Sequence, residues 1–309
     1  MKGILITGIT GFTGIHLVEF LSNVDRGIPI IGTSRSTEFD IHNVAVMKVD
    51  FTKYDEVKKL LEKFSPEYIF HLAACNRGNY KEIYNTNVLG TINLFEALKD
   101  KGRQSAKVLV TGSVAEYGIV NEINSCIDET APLAPISFYG NSKVSQDLLS
   151  FQYYRNYGIN IVRVRSSNLI GPGQSSDYVC SAIAKQIVEI EKHQPTNALK
   201  VGNLEPKRDF IDVRDAVSAY WRVINSNSFG QVFNVCSGNC ISVGDVLNSF
   251  LELTEVRPKI VTESLRVRKF DIIYQRYNYE KLNNLTGWIP KKELKESLSD
   301  VLEYWRAIL

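Results

Sequence analysis

The sequence predicts an α/β fold, a doubly wound parallel sheet joined to a smaller mixed α/β C-terminal lobe. Three observations carry that reading. The apolar run Ile4-Leu5-Ile6 passes directly into Thr7-Gly8-Ile9-Thr10-Gly11-Phe12-Thr13-Gly14, and an amphipathic segment (Ile15, Leu17, Val18, Phe20, Leu21) follows. Short apolar runs then alternate with helical patterns of ten or more residues, the arrangement that builds parallel strands through crossover helices. After Arg165 the alternation loosens.

The expected strands are 3–7, 29–33, 68–72, 107–111 and 160–164, each a short apolar run. The expected helices are 13–23, 54–63, 80–100 and 142–157, each with apolar residues at helical spacing. Gly171-Pro172-Gly173-Gln174 is turn chemistry, and 178–193 is a further helix candidate. Residues 1–165 are read as a dinucleotide-binding domain, to whose sheet segments near 208–236 return. Residues 166–207 and 237–309 are read as a substrate-covering lobe.

The chain has 309 residues, enough for a large core, with 44% hydrophobic and 23% charged residues. A net charge of +2 argues against nucleic acid or acidic membranes as general partners. No apolar run reaches the ~18 residues needed to span a bilayer, and the N-terminus does not read as a signal peptide. Five scattered cysteines suggest neither a disulfide framework nor a zinc site, so no metal is expected and a cytoplasmic location is.

The glycine turn points to a dinucleotide. Gly8 permits a tight turn, Gly11 admits a pyrophosphate close to the backbone, and Gly14 lets helix and strand pack closely. Phe12 and Thr13 lie in the same turn, where unpaired N–H groups and the helix dipole face an anion.

Redox chemistry has its own cluster. Strand 107–111 runs into Gly112-Ser113, which places Ser113 at the carboxyl end of a central strand, where such sheets bind ligands. Further on, Tyr139 and Lys143 stand i and i+4 on a helix and share a face. A neighbouring cation is expected to lower the phenol's pKa from about 10. Tyr139 can then exchange a proton with an alcohol or ketone oxygen while hydride moves between carbon and nicotinamide. Ser113 orients that oxygen, and Lys143 also reaches toward cofactor ribose.

Here the chain resembles the extended short-chain dehydrogenase/reductases, which act on nucleotide sugars on a Rossmann-type fold. The resemblance rests on Thr-Gly-x-x-Gly-x-x-Gly, His71-Leu72-Ala73-Ala74, Asn87-x-x-Gly90-Thr91, the serine before Tyr117-Gly118, Tyr139-x-x-x-Lys143 and Arg165-x-x-Asn168. Three later segments are most similar to the branch that reduces GDP-4-keto-6-deoxy-D-mannose. They are 168–174, 201–215 and Asn234-Val235-Cys236-Ser237-Gly238. The resemblance implies cofactor against the N-terminal part, with Leu72, Ala73 and Ala74 in its wall. It implies the nucleotide diphosphate in the lobe, hydride transfer at sugar C4, and a homodimer packed through helices near 80–100 and 142–157.

For the cofactor, Thr33-Ser34-Arg35-Ser36 stands where an NAD site usually carries an acid. Arg35 suits a 2′-phosphate, so NADP(H) is favoured, with NAD(H) the alternative if Arg35 only stacks on adenine. Asp50-Phe51 resembles the family's adenine contact and equally reads as a cap before the helix at Tyr54.

For the substrate, Arg208 matches the family's diphosphate-binding arginine, and its planar fork suits phosphate. Arg268 resembles the second such arginine, although Lys269 replaces the expected proline and the segment also reads as a solvated basic loop. Asn168 and Gln174 are expected to orient the substrate; a structural asparagine closing the turn is the competing view.

Dehydratases of the family carry an acid two places after the catalytic hydroxyl, where this chain has Ala115. Glu116 is adjacent, but on a strand-like backbone it points the other way. The resemblance therefore implies an NAD(P)H-dependent reductase of the C4 ketone of GDP-4-keto-6-deoxy-D-mannose, giving a GDP-6-deoxyhexose of the GDP-rhamnose type. A GDP-hexose or GDP-heptose C4 dehydrogenase or epimerase using the same residues is the alternative. A 4,6-dehydratase and a non-catalytic cofactor-binding regulator rank below both.

Overall fold

The computed structural model describes residues 3–24, 27–36, 44–119, 126–192, 197–264 and 272–309. In chain order the first half runs β1 (Ile4–Thr7), α1 (Phe12–Val24), β2 (Ile30–Ser34), β3 (Ala45–Lys48), α2 (Tyr54–Lys63) and β4 (Tyr68–His71). There follow α3 (Tyr80–Tyr84), a π-helical turn (Asn85–Leu89), α4 (Gly90–Asp100), β5 (Lys107–Ser113), a 3-10 turn (Val114–Glu116) and β6 (Cys126–Ile127). The middle holds α5 (Phe138–Tyr157), β7 (Asn160–Ser166), β8 (Asn168–Ile170), α6 (Val179–Glu191), β9 (Ala198–Val201), β10 (Lys207–Arg208) and β11 (Phe210–Asp212). The last stretch holds α7 (Val213–Asn225), β12 (Val232–Val235), β13 (Ile241–Ser242), α8 (Val243–Glu252), β14 (Lys259–Thr262), β15 (Arg276–Tyr277), α9 (Glu280–Thr286) and α10 (Leu294–Ile308).

Seven strands form one parallel sheet in the order β12-β7-β5-β4-β1-β2-β3. Buried helix faces cover both sides. Leu17, Val18, Ala216, Val217 and Tyr220 from α1 and α7 pack on one face. Val57, Leu61, Leu94 and Leu98 from α2 and α4 pack on the other. A separate core in the C-terminal part joins α6, α8 and α10 through Ile183, Ile187, Phe250, Leu302 and Trp305.

The order in which strands are added reverses between β1 and β4, and the crevice over that switch point is where such sheets take ligands. The glycine turn leaves β1 and the 72–76 loop leaves β4 at this point. They approach so closely that a Cβ on Gly8, which sits at φ +68°, would lie 2.9 Å from Ala73 Cα.

Several expectations shift. The helix expected over 142–157 begins at Phe138, because Ser137 caps it by accepting from the Gly140 amide at 3.0 Å. Tyr139 therefore stands in the first turn. The 80–100 helix is interrupted by the π-helical turn. Of the two segments expected to rejoin the sheet, Val232–Val235 pairs with β7. Phe210–Asp212 instead pairs with β8 in a two-stranded sheet of its own, and α7 then carries the chain beneath the large sheet. Glu116 lies on the 3-10 turn rather than a strand.

Candidate active site

A cavity of about 890 Å³ opens along the carboxyl edge of the sheet. Its inner wall is Gly8, Gly11, Phe12, Thr13 and Gly14 with Leu72 and Ala74. Ser113, Tyr139 and Lys143 line its middle, and Asn168, Gln174 and Arg208 line it on the lobe side.

The residues present fit a dinucleotide at the inner wall. The first turn of α1 has no acidic residue, so its positive end is uncompensated. A Cβ on Gly14 would fall 2.4 Å from Ile9 O, so only glycine lets α1 seat this close to β1. Gly11 faces open space apart from Gly8 O at 3.2 Å, leaving its backbone approachable.

Ser113 ends β5 and caps the 3-10 turn, its hydroxyl accepting from the Ala115 amide at 3.1 Å. Tyr139 lines the same cavity as Ser113. Burial holds the phenol above its ordinary pKa, against which the nearby Ser113 hydroxyl pulls downward. The lowered phenol expected from the sequence is thus not what the fold produces. Lys143 Nζ sits 5.8 Å from the Tyr139 ring centroid.

Lys143 is only 2% exposed. Its ammonium donates to Thr111 O and to Gln146 Oε1, both at 2.8 Å. Burial lowers its pKa to about 8. Gln146 continues the chain inward, donating through Nε2 to Thr91 Oγ1 at 2.7 Å, while Thr91 donates to Asn87 O at 2.7 Å. With its proton so committed, Thr91 must accept from His71 Nε2 at 3.0 Å. His71 Nδ1 then accepts from Thr7 Oγ1 at 2.9 Å, and Thr7 accepts from the Ala73 amide at 3.0 Å. One tautomer satisfies every group, and burial followed by the Lys143 charge pushes the imidazole down to about 3, which keeps it neutral. The cation at the centre is therefore braced to the strand that launches the glycine turn.

Beneath Ser113 lies a second buried network. Glu116 accepts from the Ser113 amide at 2.8 Å and from Arg165 Nε at 2.8 Å. Arg165 Nη2 reaches Asp147 Oδ2 at 2.7 Å, and Arg163 pairs with the other carboxylate oxygen at 3.0 Å. Burial and then Asp147 raise the Glu116 pKa, opposed by Arg165. Glu116 is fully buried and does not line the cavity. It points away from any substrate, through a capping box rather than strand alternation.

The other residues divide. Asn168 is exposed and donates through Nδ2 to Asp209 O at 2.8 Å. Gln174 is buried and donates to Leu169 O at 2.6 Å, while its Oε1 has no partner among the described residues. Arg35 is exposed at the end of β2 and does not line the cavity. Phe51 is buried in the core with its ring 5.7 Å from that of His71. Asp50 closes a local turn by accepting from Thr52 N and Oγ1 at 3.0 and 2.8 Å, and neither Asp50 nor Phe51 lines the cavity. Arg268 lies outside the described residues. Gln146, Arg77 and Asp177 were not found from sequence. Gln146 stands at i+3 from Lys143, a readable signal, whereas Arg77 and Asp177 meet across a hundred residues.

No group of three or more His, Cys, Asp or Glu able to hold a metal occurs among the described residues. Nor is any described helix long and apolar enough to cross a membrane.

A phosphate-ready helix terminus beside a serine, a phenol and a buried ammonium defines a class, the dinucleotide-dependent oxidoreductases of carbon–oxygen bonds. A family model described as GDP-mannose 4,6 dehydratase matches residues 5–301, and the chain belongs to that family. It is 29% identical over 98% of its length to the GDP-6-deoxy-D-mannose reductase of Pseudomonas aeruginosa, covering 97% of that protein. It is 28% identical to the GDP-6-deoxy-D-talose 4-dehydrogenase of Aggregatibacter actinomycetemcomitans, covering 92% of this chain and 91% of that one. Among solved structures, RMD from Pseudomonas aeruginosa complexed with NADPH superposes with a TM-score of 0.88 at 28% identity, covering 100% of both chains.

Proposed function

We propose that the protein is a nucleotide-sugar oxidoreductase that reduces the C4 ketone of GDP-4-keto-6-deoxy-D-mannose to a GDP-6-deoxyhexose of the GDP-rhamnose type. The observation that carries this reading is that Ser113, Tyr139 and Lys143 line one cavity with the glycine turn, the phenol held protonated. A proton donor is what ketone reduction requires.

The glycine turn and the start of α1 would hold a nicotinamide dinucleotide, which would supply the hydride for C4. Tyr139 gives its proton to the C4 oxygen, so that a ketone, a hydride and a proton become an alcohol. Ser113 donates to the same oxygen and fixes its position. The resulting phenolate is stabilised by Lys143, whose ammonium is held under the ring by Thr111 and Gln146. Arg35, exposed where β2 ends, supports NADPH over NADH. Asn168, Gln174 and Arg208 are the substrate-facing residues, and the guanine base follows the two similar enzymes named above. Exposed Tyr80, Phe138, Leu148, Phe151 and Tyr157 on α3 and α5 support a homodimer through those helices.

Oxidation at C4, alone or as half of an epimerisation, uses the same residues, and the likeness to a 4-dehydrogenase favours it as the second reading. Dehydration is disfavoured because the side chain two places past Ser113 is the methyl of Ala115, and Glu116 is locked beneath the strand. The test is incubation with GDP-4-keto-6-deoxymannose and each reduced cofactor, following absorbance at 340 nm and identifying the product by NMR. A GDP-6-deoxyhexose is the expected product, and no turnover with either cofactor overturns the assignment.

A further inference from the structure

Alongside the catalytic cavity lies a second, outer one of about 650 Å³, walled by α6 and β9. The two share six lining residues, Arg77, Asn168, Asp177, Val179, Arg208 and Phe210. A nucleotide sugar with its reacting carbon at Tyr139 and its base in the outer cavity must thread its diphosphate past this neck. We propose that Arg77 is a further diphosphate-binding residue opposite Arg208, latched by Asp177 until the substrate displaces that carboxylate. The proposal rests on the nucleotide-sugar reading above and names how that substrate is gripped.

Arg77 leaves the loop after β4, and Asp177 immediately precedes α6, so the pair bridges the two halves across the cavity mouth. Arg77 Nη1 lies 2.7 Å from Asp177 Oδ1, and Nη2 donates to Asp177 O at 2.8 Å. The guanidinium stands 5.8 Å from the Tyr178 ring centroid, and Asn76 Nδ2 donates to the Tyr178 hydroxyl. Asp177 is thus an anion placed where the neck otherwise offers positive potential. Arg208 is there, and so is the start of α6, whose N-cap Tyr178 makes no side-chain capping bond and whose first turn has no acid.

The exchange runs in the direction the proposal needs. Both side chains of the Arg77–Asp177 pair are more than half exposed, at 56% and 55%, and ion pairs that wet are weakly held. A guanidinium fork on phosphate oxygens is charge-assisted and bidentate, and the diphosphate as a whole carries more charge than the carboxylate it replaces. The Tyr178 ring and Asn76 hold the arginine's loop in place as the partner changes.

The experiment is calorimetric titration of the NADPH-bound protein with GDP and with guanosine. Arg77→Gln is expected to weaken GDP about tenfold or more while leaving guanosine unchanged. Arg77→Lys is expected to recover part of that loss by restoring charge without the fork. Asp177→Asn, which removes the competing anion, is expected to tighten GDP. Equal losses for GDP and guanosine in Arg77→Gln, no loss for GDP, or weaker GDP binding in Asp177→Asn each overturns the proposal. A wild-type chain that binds GDP yet reduces no GDP-4-keto sugar overturns the proposed reaction while leaving the Arg77 comparison readable. If UDP binds instead of GDP, the same arms run with UDP and uridine.

Discussion

Replacing Lys143 by methionine separates what the lysine does for catalysis from what it does to the fold. In the folded chain burial lowers the ammonium from 10.5 to about 8, whereas the unfolded chain keeps the ordinary value. Below pH 8 both states carry the proton and the folded state bears the full desolvation cost. Between 8 and 10.5 the unfolded chain binds more protons, so stability rises with pH; above 10.5 neither state is charged and the cost is gone. A shift of this size corresponds to about 3 kcal/mol. The groups facing Lys143 stay outside that window in both proteins. His71 is neutral, Glu116 titrates lower, and burial pushes the Tyr139 phenol higher. Methionine does not titrate, and it leaves Thr111 O and Gln146 Oε1 without their donor, a constant offset of about 1–3 kcal/mol each. Urea unfolding of both proteins from pH 7 to 10.5 should show their stability difference moving by about 3 kcal/mol in favour of wild type. A difference that stays flat across that range refutes the claim that a dry ammonium sits behind Tyr139.

Tyr139→Phe should keep dinucleotide affinity, read by fluorescence titration, and lose roughly 10²- to 10⁴-fold in kcat. Near-normal rates would mean the proton comes from another group. Arg165→Met leaves Glu116 buried without its cation and Asp147 with Arg163 alone, and should cost about 3–5 kcal/mol in urea unfolding. A loss below about 1 kcal/mol would show that the network relaxes to water instead. Gly14→Ala places a methyl 2.4 Å from Ile9 O and should cost about 1–3 kcal/mol, with weakened dinucleotide binding as α1 is levered off β1. Normal binding in that variant would sink the close-packing account.

What the sequence made legible is what local spacing encodes. The glycine turn, the strand end at Ser113 and the i, i+4 pair of Tyr139 and Lys143 each lie within a few residues, and the structure brings all of them to one cavity. The start of α5 was readable too, since Ser137 is a capping residue, but the apolar pattern drew attention further along. Ser113-Val114-Ala115-Glu116 likewise has the capping-box form, which explains Glu116 better than strand alternation does. Phe51 shows another limit, because a residue beside a ligand-binding edge can also be the last one of the core. Arg77 and Asp177 could not be paired from sequence, since nothing local marks two side chains a hundred positions apart as neighbours.

The protonation of Tyr139 shows most clearly where local spacing stops informing. Spacing places a cation near a phenol, and from water that pairing implies an acidic tyrosine. The fold removes the water, and desolvation raises the phenol and lowers the ammonium together. The order of the two effects assigns them to different moments of a reduction. Before transfer, burial keeps the proton on Tyr139 as an available acid. Once the proton has left, the charge on the oxygen lies on the side of the cavity behind which Lys143 is buried, where a charge–charge attraction is stronger than in water. The lysine thus acts on the product of the proton transfer, and its bracing by Thr111 and Gln146 matters because it fixes that ammonium in place before the charge appears.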